Sequence, residues 1–152
     1  MFKTPVKKII YVYRQYEDFF PSLQNQIDNC DVIFTPSLPS EQDLTNTLQH
    51  SDHSMIIVDD ALQEINDNPL CQELATRLAH HLKATVIFST QSGQLPGKWG
   101  PFIARNIHTA VIMNSANQSY YLRNLGIQLG QYKLMKEIYN DVIQDRKSTR
   151  LN

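Results

Sequence analysis

The sequence predicts an α/β fold, a parallel sheet flanked by helices, on three observations. Short runs rich in β-branched and aromatic residues alternate with stretches of helical periodicity. The runs are apolar on both faces, as strands inside a parallel sheet are. Finally, 41% of the 152 residues are apolar, enough to bury an ordinary core in one domain without disulfide or metal staples.

Lys8-Ile9-Ile10-Tyr11-Val12-Tyr13 is the first strand. Phe19, Phe20, Leu23 and Ile27 recur at helical spacing and place an amphipathic helix that ends near Asn29. Val32-Ile33-Phe34 is a short second strand, and Thr35 to Pro39 a turn. Ser40, with Asp43 three positions on, caps a helix carrying Leu44 and Leu48. Met55 to Val58 is the third strand. Asn68 is an N-cap before Pro69, whose missing N–H costs nothing in a first helical turn. Leu70, Leu74, Leu78 and Leu82 then form one apolar stripe. Thr85 to Ser89 is the fourth strand, followed by a loop containing Gly93, Pro96, Gly97, Gly100 and Pro101. Thr109 to Met113 is expected as a fifth strand, and 119–129 and 133–142 as two further helices.

The totals narrow the function. A formal charge of -1, with both signs mixed along the chain, supplies no overall attraction to nucleic acid or anionic membrane, so any DNA contact must be local. Cys30 and Cys71 stand far apart outside any C-x-x-C pair, which fits a reducing compartment and idle thiols. No apolar run approaches the roughly 20 residues of a membrane span, and Met1 to Lys8 has no signal-peptide pattern. A cytoplasmic or nuclear location is the expectation.

Chemistry is expected at Asp59 and Asp60. Four apolar residues followed by two aspartates put both carboxylates at the carboxyl end of a buried strand, where open α/β sheets bind ligands. In P-loop ATPases an acid there holds Mg²⁺ and its neighbour orients the attacking water, roles that fall to Asp59 and Asp60. Flavodoxin-like and receiver-like domains also carry acids at strand ends, so the pair by itself leaves both readings open. Gln91, just past the fourth strand, is either a polar γ-phosphate sensor or a solvated turn residue. His80 and His81 are helix neighbours that point in different directions; they read as cations at a helix end and not as a metal pair. Lys98, Arg105 and Arg123 read as surface cations.

Taken together, 7–142 resembles the FtsK/HerA-type genome-packaging ATPases of Polinton (Maverick) elements and adintoviruses. The resemblance starts with Ile9 to Tyr13, similar to the family's strand after the phosphate-loop helix, and Leu38-Pro39, similar to its Gly-Leu-Pro turn. Its strongest block is Ile57-Val58-Asp59-Asp60, then His80-His81, Val86-Ile87 with Gln91, Gly97-Lys98, and Asn106 with His108, in the family's order and spacing. It implies a RecA-like P-loop NTPase core, ATP and Mg²⁺ as cofactors, a homo-oligomeric ring, double-stranded DNA as substrate, and a nuclear, cytoplasmic or virion location. It assigns metal binding to Asp59, catalysis to Asp60 and sensing to Gln91.

Three departures qualify these expectations. The glycine-rich loop with Lys-Ser/Thr lies upstream of the first strand in that family, so 1–144 is expected to be a partial ATPase domain lacking its first strand and phosphate loop, with Met1 an internal methionine. Pro101 stands where the family has an arginine, and Ser115-Ala116-Asn117-Gln118 replaces its Asn-Pro-Arg-Asp, so a decayed, inactive copy is expected. Asp145 to Asn152 reads as the translation of a sequencing-adapter oligonucleotide, an artefactual tail whose residues are not contiguous with the source gene. The rival expectation is a non-catalytic α/β interaction module whose Asp pair is structural or holds a lone divalent ion.

Overall fold

A computed structural model describes residues 5–95, 97–111, 113, 122–124, 126, 127 and 130–149. The chain divides into two units, Met1–Thr109 and Ala110–Asn152. The first contains β1 (Lys8–Val12), α1 (Phe20–Gln26), β2 (Asp31–Thr35), α2 (Glu41–Leu48) and β3 (Ser54–Val58), then α3 (Leu62–Asp67) and α4 (Leu70–Glu73). A π turn (Leu74–Leu78), α5 (Ala79–His81), β4 (Ala84–Phe88) and α6 (Gly100–Asn106) complete it. The second carries α7 (Tyr132–Thr149).

The sheet is parallel throughout, in the order β2-β1-β3-β4. Register sorts its side chains into rows across β1, β3 and β4: Ile10, Ile56 and Val86 in one, and Val12, Val58 and Phe88 in the next. That face meets the helices that follow β2, with Leu44 and Leu48 of α2, Ile65 of α3, Cys71 of α4, Leu74 and Leu78 of the π turn and Ile103 of α6 in one core. On the opposite face Tyr11 and Phe34 lie side by side under Phe20 of α1, which is 2% exposed and stacks on Phe34 at 4.7 Å. Chain reversal explains the division. β1 is followed by β2 on one side and by β3 on the other, and right-handed crossovers of opposite direction put their helices on opposite faces.

The leucine stripe is buried as its spacing predicts, with Leu74, Leu78 and Leu82 all in the core and Leu70 packed at its border. Residues four apart drift about 40° per step around an α-helix of 3.6 residues per turn. The wider π turn takes up that drift and keeps the stripe facing the sheet. Caps also follow the sequence: the Ser40 hydroxyl accepts the Asp43 N–H at 3.2 Å, and Asn68 Oδ1 accepts the Leu70 N–H at 3.0 Å.

Two expectations change. The Gly/Pro-rich segment is a loop only in part, because α6 begins at Gly100 with Pro101 in its first turn and buries Ile103. Gly100 is required there by close approach, since a Cβ would collide with the Leu95 carbonyl oxygen. The expected fifth strand is not one: 109–111 and 113 are irregular, and Val111 and Met113 are 81% and 77% exposed. A strand persists only as part of a ladder, and no described strand pairs with this segment. Of the helix expected over 119–129, residues 122–124, 126 and 127 are helical; the rest, like Ser115 to Gln118, lies outside the described residues.

Ser54 is fully buried at the start of β3, and among the described residues its hydroxyl has no hydrogen-bond partner. An unmade buried bond costs more than a missing hydroxyl. Ser54→Ala is therefore expected to stabilise the chain by about 1 kcal/mol, read as a higher urea midpoint at unchanged m.

Candidate functional site

β1 and β3 are the neighbours between which the chain reverses direction, and their carboxyl ends flank the crevice where open α/β sheets bind ligands. Asp59 and Asp60 lie there. The Asp59 N–H donates to Val12 O at 2.9 Å, and the Ala61 N–H to Ser89 O at 2.8 Å, so the two acids are pinned between the ends of β1 and β4. Asp60, between these anchors, has φ 48°, a left-handed conformation that Asp and Asn tolerate better than most residues.

Tyr13, Arg14, Pro36, Asp59, Asp60 and Glu64 line a crevice of about 160 Å³. Whole-ligand pockets run to about 300–1,000 Å³, so this one suits a hydrated cation or one end of a larger molecule. Asp59 Oδ2 accepts the Tyr11 hydroxyl at 2.9 Å and Oδ1 accepts the Asp60 N–H at 3.1 Å. The Arg14 guanidinium is 4.0 Å from Asp60 Oδ2, with both side chains substantially exposed, which makes the pair a weak one that leaves the carboxylate available.

Burial, then the bond to Asp59 and its charge, pushes the Tyr11 phenol up to about 12 from its ordinary 10. The neutral phenol is the form favoured by folding, so its contribution to stability is complete below pH 10 and disappears as pH rises through 10 toward 12. The stability difference between the wild type and Tyr11→Phe is thus expected to shrink across that window, in urea midpoints measured from pH 8 to 12.

No known protein family, curated protein or solved structure matches this chain. The functional reading accordingly rests on the chain's own residues. Of the sequence-predicted positions, Asp59 and Asp60 share the crevice, whereas Gln91 is exposed three residues beyond β4 and does not line it. His80 and His81 are exposed at the end of α5. The Lys98 ammonium lies 4.4 Å from the centroid of the Trp99 ring, and Arg105 is exposed on α6. Asn106 donates to Phe102 O at 2.8 Å as a helix-terminal residue.

Sequence reasoning missed Tyr11, Arg14 and Glu64. The usable signal was parity: Tyr11 pairs with Ile57, and Asp59 lies two residues past Ile57 on the same face. Which strands adjoin was needed to use it.

Mg²⁺ fits these residues in a limited sense. Each Asp59 oxygen has accepted one hydrogen bond and retains a lone pair. Among the described residues no group of three or more His, Cys, Asp or Glu is assembled for a metal. Mg²⁺ needs no such cage, since it keeps waters and takes one or two carboxylates together with substrate phosphates.

Proposed function

We propose that this chain is the core of an ATP-hydrolysing, double-stranded DNA translocase of the FtsK/HerA genome-packaging type, and that its phosphate loop lies outside these 152 residues. The observation that carries the reading is the placement of Asp59 and Asp60 one strand in from β4, whose outer edge takes no partner among the described residues. Parallel strands lie about 4.8 Å apart, so a strand added to β4 would end about 10 Å from β3. A Mg²⁺ ion with bonds of about 2.1 Å, together with a bridging water and the length of the aspartate side chain, spans that gap. In this reading Asp59 holds the cation, Asp60 orients the attacking water, and Gln91, after the intervening β4, faces the terminal phosphate. The RecA-like core, the homo-oligomeric ring and the DNA substrate belong to the same proposal. Among the described residues no helix is long and apolar enough to cross a membrane.

A second reading, an interaction module with a structural or cation-binding Asp pair, is favoured by one feature: both acids are engaged from the β1 side, by Tyr11 and Arg14. Genomic sequence separates the two. The ATPase reading requires an in-frame glycine-rich Lys-Ser/Thr segment within about fifty residues upstream of Met1. The 152 residues contain no such segment. Backbone N–H groups and a lysine there supply most phosphate positioning. This chain alone is therefore expected not to bind ATP tightly, and micromolar affinity in calorimetry would contradict the assignment of the missing loop.

A further inference from the structure

We propose that Tyr11 is a positioning residue for the cation site, its hydroxyl clamping Oδ2 of Asp59 while the Asp60 amide holds Oδ1, so that the carboxylate presents its remaining lone pairs in one orientation. The inference rests on the reading of Asp59 as the cation-binding acid and adds to it the group that aims that acid.

The geometry is set by the sheet. Tyr11 sits beside Ile57, and Asp59 is two residues farther on, just past the end of β3, where its N–H still bonds Val12 O; at the rise of a strand that is about 6.6 Å ahead. A phenol leaning toward the carboxyl end covers that distance, and its hydroxyl arrives 2.9 Å from Oδ2. The ring is itself confined, with centroids 5.4 Å from Phe20 and 5.7 Å from Phe34. Phenylalanine would serve that packing equally well, so among the described residues the hydroxyl has one task, the bond to Asp59. Asp59 stands where the strand ends, and without a second anchor its side chain would be free to rotate about Cα–Cβ and Cβ–Cγ. Partners that orient metal-binding carboxylates typically contribute about 10–100-fold in cation affinity.

The test uses Mn²⁺ as the probe on the full 152-residue chain, with ¹H–¹⁵N spectra recording paramagnetic broadening of the Asp59, Asp60 and Ala61 amides. Broadening confined to this turn is expected in the wild type, and Asp59→Asn should abolish it. Tyr11→Phe should raise the Mn²⁺ concentration for half-broadening about 10-fold or more while the spectrum stays dispersed. Tyr16→Phe removes a phenol from the same aromatic cluster that has no bond to Asp59, and should leave the concentration unchanged. Wild-type behaviour of Tyr11→Phe overturns the inference and spares the assignment of Asp59. Equal effects of both phenol variants, or a Tyr11→Phe chain that no longer folds, make the hydroxyl structural and also overturn it. Unaltered broadening in Asp59→Asn removes the cation assignment itself, and the inference with it.

Discussion

Asp60→Asn, made in a chain extended through its phosphate loop, is expected to lower ATP turnover about 10²–10⁴-fold, or roughly 3–5 kcal/mol of barrier, while nucleotide and Mg²⁺ affinities stay near the parent values. Asn is the informative replacement. Position 60 has φ 48°, and Asn tolerates the left-handed region as Asp does, so charge is removed without adding backbone strain. The lost pairing with Arg14 is exposed and weak, so stability should hardly move. Asp59→Asn should fail differently. A neutral amide loses the charge that favours Mg²⁺, and nucleotide-dependent metal affinity falls before turnover can be compared. ATP affinity measured beside turnover for both variants decides the matter. Full turnover in Asp60→Asn, or loss of stability alone in both, leaves the pair structural and the interaction-module reading in possession. An extended parent that binds ATP without hydrolysing it would instead implicate Pro101 and Asn117, where the resembling family carries arginines.

Leu74→Ala is expected to cost about 2–5 kcal/mol of unfolding free energy. Leu74 is fully buried, on the π turn, in the core that the sheet and the helices share. Truncation removes transfer energy and leaves a cavity that cannot easily collapse, because Ile56, Ile65 and Ile103 around that core are themselves fully buried and belong to three separate elements. Against a total stability of about 5–15 kcal/mol, this single change could halve the margin. Leu70→Ala, at the partly exposed border of the same stripe, should cost less, and Thr76→Ala on its exposed side should stay within about 0.5 kcal/mol. Urea unfolding of the three variants checks the order. Equal losses at Leu70 and Leu74 would show that the stripe is not graded by burial.

The sequence by itself determined the local features of this protein. β-Branched runs placed both ends of β1 to β4 to within about one residue, leucines four apart marked the helical segment that packs into the core, and two acids after four apolar residues located the candidate site. Each is written in neighbouring residues, through the two-residue period of a strand or the 3.6-residue period of a helix. Tertiary structure alone decided the order β2-β1-β3-β4, and with it the outer position of β4 and the contact of Tyr11 with Asp59, 48 residues away in sequence. It also decided that the described residues 109–111 and 113, strand-like in composition, are irregular, and that Gly100 and Pro101, which read as breakers, begin α6 around the buried Ile103. The reason is common to all of these. Ladder partners, sheet edges and helix burial depend on which distant segments meet, and local periodicity carries no record of that choice.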